Sequence, residues 1–211
     1  YGKNEMWYVV DSEPGSYLYC GLSRDASKEE ILERINNNTI TDILNKIEVK
    51  AGDVVMVKAG TIHAIGAGVF ICEIQQNSNC TYRMYDYDRR DKFGNPRELH
   101  VKKALDVVDN HKYIKDNKTE VVIARNEHFT EERLVQCKYF EVYKYDVNDE
   151  AKITVDEASF VSVLFINGSG TIETDDYEKT MEFKAGDSFF VSAGLRSIII
   201  KGQATMVVTR V

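Results

Sequence analysis

The sequence predicts a mainly β protein made of two related β-rich units with a few inserted helices. One observation is an internal repeat, in which KAGDVVMVKAGTIHAI at residues 50–65 aligns without a gap with KAGDSFFVSAGLRSII at residues 184–199. Another is the series of short β-forming segments from about residue 119 onward, separated by Gly, Asn and Asp. Such spacing is typical of a β-sandwich or β-barrel, and a repeated strand-turn-strand unit indicates that the architecture occurs twice.

Composition limits the classes of protein that fit the chain. Its 211 residues, 43% of them hydrophobic, suit one large or two small domains with substantial cores. A formal charge of −7 and an isoelectric point near 5.2 argue against nucleic acid as the partner. The sequence contains no apolar run approaching the roughly 20 residues of a membrane span. Four cysteines without a C-x-x-C pair predict reduced thiols, so we expect a cytoplasmic protein.

The first half of the chain mixes strands and helices. Ser27 and Glu30 form a capping box, and apolar residues at helical spacing follow in the segment 40–47. The predicted elements are a strand at 5–10, helices at 27–37 and 40–46, strands at 53–58 and 68–76, an aromatic continuation of the latter at 81–90, and a helix at 97–110. Because the chain opens within a strand-like segment, we expect an N-terminal part of the protein to lie elsewhere.

The second half reads as nearly continuous strand. Its β-forming segments are, in order, TEVVIAR, LVQCKYFEVYKYDV, AKITV, SFVSVLFING, GTIET, DSFFV, RSIII and ATMVVTRV. We therefore expect a complete all-β domain after a β-domain that carries the helices.

His63 is the residue that distinguishes the two copies of the repeat. It follows the turn at Ala59 and Gly60 in the first copy, whereas Ser197 occupies the same position in the second. Since only one copy has a possible metal ligand there, the sequence indicates that His63 belongs to a site rather than to the requirements of the fold.

The spacing from Gly52 to His63 resembles a conserved motif of the cupin β-barrels, although Lys58 stands where that motif usually has proline. The flanking segments KNEMWYVVDSEPG, AGTIHAIG, EIQQNS, TYRMYDYDR and GNPRELHVKKALDVV resemble, in order and spacing, the type I mannose-6-phosphate isomerases, in the short form found in low-GC Gram-positive bacteria. The resemblance implies tandem cupin (jelly-roll) barrels. Residues 1–115 would be the C-terminal portion of a metal-binding catalytic cupin domain, N-terminally incomplete and with a helical insert at about 27–46. Residues 116–211 would be a second, non-catalytic cupin.

The resemblance also implies a zinc-dependent aldose–ketose isomerase that interconverts mannose 6-phosphate and fructose 6-phosphate through an enediol. The partner would then be a small-molecule sugar phosphate. Because part of the site is expected upstream of residue 1, we expect the isolated chain to hold zinc weakly and to be inactive.

Individual site residues carry over from that family. Glu5 matches the metal-binding glutamate and His63 a metal-binding histidine, whereas the Q-x-H segment that supplies two further ligands has no counterpart in these residues. Arg83 matches the catalytic arginine, and Lys3 and Glu73 fall at substrate-binding positions. Asn79 and Lys58 depart from the family pattern.

Two other functions fit parts of this pattern. A non-catalytic cupin that binds a sugar phosphate in a regulatory role would explain Lys58, Asn79 and the incomplete ligand set. A metal oxygenase of the cupin class is disfavoured, because the chain contains no H-x-H pair.

Simpler structural interpretations exist for each residue. His63 could be a hydrogen-bonded turn residue, Glu5 a solvated carboxylate, and Arg83 a cross-strand surface charge like Arg89 and Arg90. The remaining histidines lack partners at ligand spacing, so we expect His100, His111 and His128 to be surface or packing residues. Core packing is the simplest role for three aromatic residues, Trp7, Tyr82 and Tyr85.

Overall fold

The computed structural model describes residues 2–115, 121–174 and 177–211. The chain divides into two compact units, Tyr1–Lys115 and Asp116–Val211. Strands predominate in both units, as the sequence predicts. In the part of the chain that the structure describes, no helix is long and apolar enough to cross a membrane.

The first unit contains two three-stranded antiparallel sheets that share an apolar interior. The strands are β1 (Glu5–Ser12), β2 (Tyr17–Leu22), β3 (Leu44–Glu48), β4 (Val54–Val57), β5 (His63–Ile65) and β6 (Val69–Gln75). One sheet has the order β4-β1-β6 and the other the order β3-β2-β5. Trp7 and Val9 of β1 pack with Leu18 and Cys20 of β2 in one buried cluster. Burial of both apolar faces against each other holds the two sheets together.

A helical insert lies between β2 and β3. Helix α1 (Lys28–Asn36) begins where the capping box predicts, and the Ser27 hydroxyl accepts the Glu30 N–H at 3.1 Å. The second predicted helix, 40–46, is wrong, because only a 3-10 turn forms at Ile40–Ile43 before β3 begins. Leu44 is extended, with φ −75° and ψ 145°. Ile47 pairs with Leu18 of β2, so the second half of this apolar pattern forms a strand rather than a helix.

Residues 81–90 form an irregular loop, so the predicted aromatic strand is wrong. Two consecutive residues, Tyr87 and Asp88, have positive φ angles of 56° and 50°, which lie outside the extended conformation of a regular strand. The Arg89 N–H then donates to the Asp86 carbonyl at 2.9 Å and closes the turn. The helix after this loop, α2 (Val101–Val107), is shorter than the predicted 97–110.

The second unit is an all-β domain. Its strands are β7 (Val121–Arg125), β8 (Phe129–Gln136), β9 (Glu141–Val147), β10 (Glu150–Val155), β11 (Val161–Thr174), β12 (Tyr177–Lys184), β13 (Ser188–Val191) and β14 (Arg196–Arg210). The sheet order is β12-β11-β14-β9-β8-β7, with β10 paired to β14 and β13 to β11. Its main core cluster is apolar and includes Phe165, Ile172, Ile200 and Met206. Residues 119 and 120 of the predicted first strand lie outside the described residues.

The internal repeat has the same hydrogen bonds in both copies. The Asp53 carboxylate accepts the Lys50 N–H at 2.9 Å, and the Asp187 carboxylate accepts the Lys184 N–H at 2.9 Å. Each aspartate therefore closes its own K-A-G-D turn with a side-chain bond to the backbone. The sequence repeat is a structural repeat.

The glycines of these turns attach the first turn to β1 and the second turn to β11. Gly52 has φ +92° and donates to the Val9 carbonyl at 2.8 Å, and Gly186 has φ +90° and donates to the Phe165 carbonyl at 2.8 Å. A positive φ favours glycine at both positions. Val9 and Phe165 are therefore equivalent positions in the two units.

The two units differ at the edges of their sheets. In the second unit, the single long strand β14 pairs with β10 along its first half and with β9 along its second half. The corresponding strands of the first unit, β5 and β6, each have one partner among the described strands, β2 and β1 respectively. The first unit is therefore the smaller of the two sandwiches.

We predict that Gly52→Ala and Gly186→Ala each lower the free energy of unfolding of their own unit by about 1 kcal/mol. A Cβ would meet nothing within 4 Å at either position, so the cost is that of backbone strain alone. Urea unfolding followed by far-UV circular dichroism measures the change. Ala51→Ser and Ala185→Ser, exposed neighbours in the same turns, should be neutral. A neutral glycine substitution would show that the turn can adopt another conformation.

Candidate active site

Glu5 is a carboxylate buried at the start of β1, with 2% of its surface exposed. Its backbone pairs with Val57 on one side and Gln75 on the other, so the sheet fixes its position from both edges. A buried charge requires compensation, and the Lys3 ammonium lies 3.1 Å from Glu5 Oε1. The sequence-based alternative of a solvated carboxylate at Glu5 is therefore wrong.

His63 faces the same carboxylate from the opposite sheet. Its Nε2 lies 3.7 Å from Glu5 Oε1, and its Nδ1 lies 2.8 Å from the Thr61 carbonyl. A carbonyl can only accept, so Nδ1 donates to it, and Nε2 is the ring nitrogen that faces Glu5. The edge of the Trp7 ring packs against the imidazole, with ring centroids 5.3 Å apart. His63 is thus oriented by two contacts, as metal-binding histidines commonly are.

Glu73 and Gln75 complete this group of polar side chains on the adjacent strand β6. The Lys3 ammonium donates to Gln75 Oε1 at 2.7 Å and lies 3.8 Å from Glu73 Oε1. The Trp7 indole N–H donates to Glu73 Oε2 at 3.2 Å. Partial burial, together with the nearby charge of Glu5, raises the pKa of the Glu73 carboxyl above its usual range. Lys3, Glu5, His63 and Glu73 form one connected cluster.

The donor atoms of Glu5 and His63 fit a divalent metal ion. Carboxylate oxygen and imidazole nitrogen are zinc ligands, and tetrahedral bonds of about 2.0–2.2 Å separate neighbouring donors by about 3.3–3.6 Å. The observed 3.7 Å between Glu5 Oε1 and His63 Nε2 is close to this spacing. Over residues 2–115, 121–174 and 177–211, no group of three His, Cys, Asp or Glu residues is placed to hold a metal. The described residues therefore supply two ligands rather than a full set.

Arg83 lies in the loop that follows β6, away from these contacts. Its guanidinium donates to the Glu98 carbonyl at 3.4 Å, and its backbone N–H donates to His100 Nδ1 at 3.3 Å. In the described part of the chain, no hydrogen bond or ion pair joins Arg83 to Glu5, His63 or Glu73. The structure thus brings together four of the five predicted site residues.

Sequence reasoning missed the residues that hold the Arg83 loop in place. Asp86 is buried and forms ion pairs with Arg89 and, at 3.5 Å, with Arg97. His100 is hydrogen-bonded to Arg83. The sequence shows no sign of this contact, because no second possible ligand lies at metal-ligand spacing from His100. The alternation of Asp with Tyr in YDYDRR resembles a strand, and this pattern concealed the buried carboxylate.

The other expectations about histidines and aromatic residues have mixed outcomes. His111 and His128 are exposed and contact Asp109 and Asp149, as expected of surface residues. Trp7 is a core residue with 1% exposure, whereas Tyr82 is 41% exposed and does not belong to the core.

Comparison with known proteins identifies relatives of this chain. Residues 130–211 match the family model described as mannose-6-phosphate isomerase, cupin domain. The chain is 40% identical over its full length to the putative mannose-6-phosphate isomerase YvyI of Bacillus subtilis, and 33% identical to the mannose-6-phosphate isomerase ManA of the same organism over 99% of the chain. It spans 65% and 64% of these two relatives.

Solved structures show the same fold. The crystal structure of the mannose 6-phosphate isomerase from Bacillus subtilis superposes on the whole chain with a TM-score of 0.89 and 37% identity, and the chain covers 65% of it. A putative mannosephosphate isomerase from Archaeoglobus fulgidus, 20% identical with a TM-score of 0.69, shares the fold over 99% of the chain and 60% of its own length.

The fold and the matched domain model define a β-rich jelly-roll protein of the cupin class. Within that class, the chain belongs to the mannose-6-phosphate isomerase family, a family of metalloenzymes, and the resemblance seen in the sequence is confirmed.

We predict that Glu73→Gln stabilises the first unit at neutral pH, on the order of 0.5 kcal/mol because the side chain is one-third exposed. A raised pKa in the folded state means that ionised Glu73 opposes folding. The penalty is absent below the unfolded pKa and grows as pH rises through the folded pKa. The advantage of the glutamine variant should therefore shrink from pH 7.5 to pH 4 in urea unfolding. Exposed Glu48→Gln is the control, and a difference independent of pH contradicts the assignment.

Proposed function

We propose that this chain carries part of the active site of a mannose-6-phosphate isomerase, which interconverts mannose 6-phosphate and fructose 6-phosphate. The observation that carries the proposal is the pair Glu5 Oε1 and His63 Nε2, which face each other at 3.7 Å, with the Glu5 carboxylate itself buried. The isomerase names of relatives that the chain matches over at least 99% of its length support the same activity.

Glu5 and His63 are the residues that would hold the metal, which we propose is zinc. When bound, zinc stabilises the carbonyl oxygen of the sugar as it becomes negative. The Thr61 carbonyl keeps His63 in the tautomer that leaves Nε2 free to bind. Lys3 offsets the negative charge of Glu5 and Glu73.

The remaining residues handle the substrate. The reaction moves a hydrogen from C2 to C1 of the sugar while the carbonyl moves from C1 to C2, by way of an enediol. We propose that Lys3 and Glu73 bind substrate oxygens as donor and acceptor. Arg83 is proposed as the catalytic residue that stabilises the developing enediolate, because a planar and permanently charged guanidinium pairs with two oxygens at once.

A regulatory sugar-phosphate-binding cupin is the second candidate. Two observations favour it: Arg83 makes its contacts away from the Glu5–His63 pair, and only two candidate metal ligands are present among the described residues. Binding without turnover requires neither an arginine beside the pair nor a complete set of metal ligands. Binding of mannose 6-phosphate without conversion, in a form that contains a full ligand set, would support this alternative.

The second unit is proposed to be structural. Glu5 pairs with Val57 in the first unit, and the equivalent pair in the second is Val161 with Val191. The position of His63 is occupied by Ser197. With an apolar residue replacing the carboxylate and an apolar core around it, the second unit offers no counterpart of the candidate metal pair. We also propose a cytoplasmic location, since all four cysteines are free thiols.

We predict that the isolated chain binds zinc substoichiometrically and does not turn over mannose 6-phosphate. Two protein ligands fall short of the three or four that zinc normally takes from a protein. Metal analysis after dialysis and a coupled assay for fructose 6-phosphate measure both quantities. Stoichiometric zinc together with turnover would contradict the prediction.

The activity itself is tested in a chimera, in which the chain replaces the matching 65% of the Bacillus subtilis relative. We expect the chimera to isomerise mannose 6-phosphate. His63→Ala should remove metal and activity together, whereas the surface change His128→Ala should affect neither. An inactive but folded and zinc-loaded chimera would argue against the proposed function.

We predict that Arg83→Lys in this chimera lowers kcat by about 10²–10³. It should change KM little and leave zinc content unchanged. Lysine keeps the charge but loses the rigid fork that matches two oxygens, and the interaction should matter most in the transition state. Steady-state kinetics decide the point. A near-normal kcat, or an effect confined to KM, would mean that Arg83 does not stabilise the enediolate.

A further inference from the structure

His100 contacts Arg83 through both its side chain and its backbone. Its Nδ1 accepts the Arg83 backbone N–H at 3.3 Å, and its own backbone N–H donates to the Arg83 carbonyl at 2.7 Å. The Arg83 guanidinium donates to the carbonyl of Glu98, two residues before the histidine. The backbone and side chain of Arg83 are thus both attached to the segment 98–100, although Arg83 lies outside any helix or strand.

The surroundings of His100 favour the tautomer that this geometry needs. Because Nδ1 accepts a hydrogen bond, the ring proton must lie on Nε2. The Glu98 carboxylate lies 3.9 Å from Nε2 and favours a proton there. The Tyr82 ring, with its centroid 6.3 Å from that of the imidazole, packs against the histidine. Three neighbours, Tyr82, Arg83 and Glu98, therefore surround a side chain that is 25% exposed.

His100 is also anchored to the rest of the first unit. It immediately precedes α2, and its carbonyl accepts the Ala104 N–H at 2.9 Å. Ala104 is buried, with 3% exposure. A loop residue bonded to the first turn of a packed helix has less freedom than one bonded to another loop. Through His100, Arg83 is therefore attached to helix α2 as well as to its own loop.

We propose that His100 is a positioning residue that fixes Arg83 for its role in the isomerase reaction. The proposal rests on the proposed function of Arg83. A guanidinium that stabilises a transition state must already be in place when charge develops, and Arg83 has no strand or helix of its own to hold it. The imidazole of His100 provides this restraint by accepting the Arg83 N–H at Nδ1.

Two variants of similar polarity separate a hydrogen-bonding role from simple packing. Asparagine carries its carbonyl oxygen on Cγ, where histidine carries Nδ1, so His100→Asn keeps an acceptor for the Arg83 N–H. Glutamine carries its oxygen one bond farther out, so His100→Gln loses that acceptor. The backbone of His100, with φ −115° and ψ 38°, is not the extended conformation of a capping residue. The asparagine is therefore free to face Arg83 rather than the end of α2.

The first measurement is amide hydrogen exchange of Arg83 in the chain itself, followed by NMR. We expect His100→Gln to speed exchange of this amide by about tenfold, which is the loss of one hydrogen bond. His100→Asn should stay close to the unsubstituted chain, and the Ala104 amide should change in neither variant. The exposed histidine substitution His111→Gln is the matched control. Equal exchange in the Asn and Gln variants would overturn the proposal.

The second measurement links the restraint to catalysis in the active chimera. His100→Gln should lower kcat with little change in KM and zinc content, and His100→Asn should restore most of the loss. Combined with Arg83→Lys, His100→Gln should add little further loss, because the histidine acts through the arginine. Fully additive losses would overturn the proposal. If the chimera has no activity at all, the proposed function fails, and the exchange result alone decides whether His100 restrains Arg83.

Discussion

The buried charge of Glu5 is the constraint on which the candidate site depends. An ionised carboxylate with 2% exposure costs several kcal/mol unless cations or hydrogen bonds compensate it. Lys3 supplies the cation at 3.1 Å, and His63 Nε2 lies 3.7 Å from the same oxygen. Because β1 is the central strand of its sheet, pairing on both edges prevents the carboxylate from moving out to solvent. His63 at the start of β5 and Glu73 on β6 therefore both lie close to the Glu5 carboxylate.

Comparison of the two units separates what the fold requires from what the site requires. Both units keep the K-A-G-D turn with the same side-chain and backbone hydrogen bonds, so this turn belongs to the fold. The carboxylate and the imidazole occur in the first unit only, and Val161 and Ser197 take their places in the second. The second unit forms a buried core without them, so the architecture itself does not require a carboxylate and an imidazole at these positions. A costly buried charge that the fold does not need is best explained by function.

The sequence predicted the cluster but not the loop beside it, for physical reasons. Glu5 and His63 lie in or beside regular strands, where alternation fixes which side chains share a face. Arg83 lies in a loop whose path is set by positive φ angles at Tyr87 and Asp88 and by the buried carboxylate of Asp86. Such irregular backbone angles and contacts leave no periodic signal in the sequence. The aromatic residues of this segment have high β propensity, and tertiary contacts override it.

The helix predicted at 40–46 failed for a related reason. Its apolar spacing suits a helix, and Ile40 and Ile43 do pack against α1 in one cluster. The remaining residues are needed as a strand, since Leu44 pairs with Leu22 and Ile47 with Leu18. The first part of this apolar pattern thus packs against α1, and the second part pairs with β2. Only the register of the sheet shows where the helical turn ends and the strand begins.

The helical insert has a role in the site because it supports both of its parts. The cluster around Leu22 and Ile31 is built from β2, the insert and α2, and it packs against Ile62 and Met84. Ile62 precedes His63 and Met84 follows Arg83 in the sequence. The backbone of Ile62 is held as well, because its carbonyl accepts the Gly21 N–H at 2.7 Å. Ile62, next to His63, and Met84, next to Arg83, thus pack against the same apolar cluster. This shared cluster helps to hold both His63 and the Arg83 loop in place. The second unit lacks helices among its described residues, and it also lacks the two polar residues that such a support would hold.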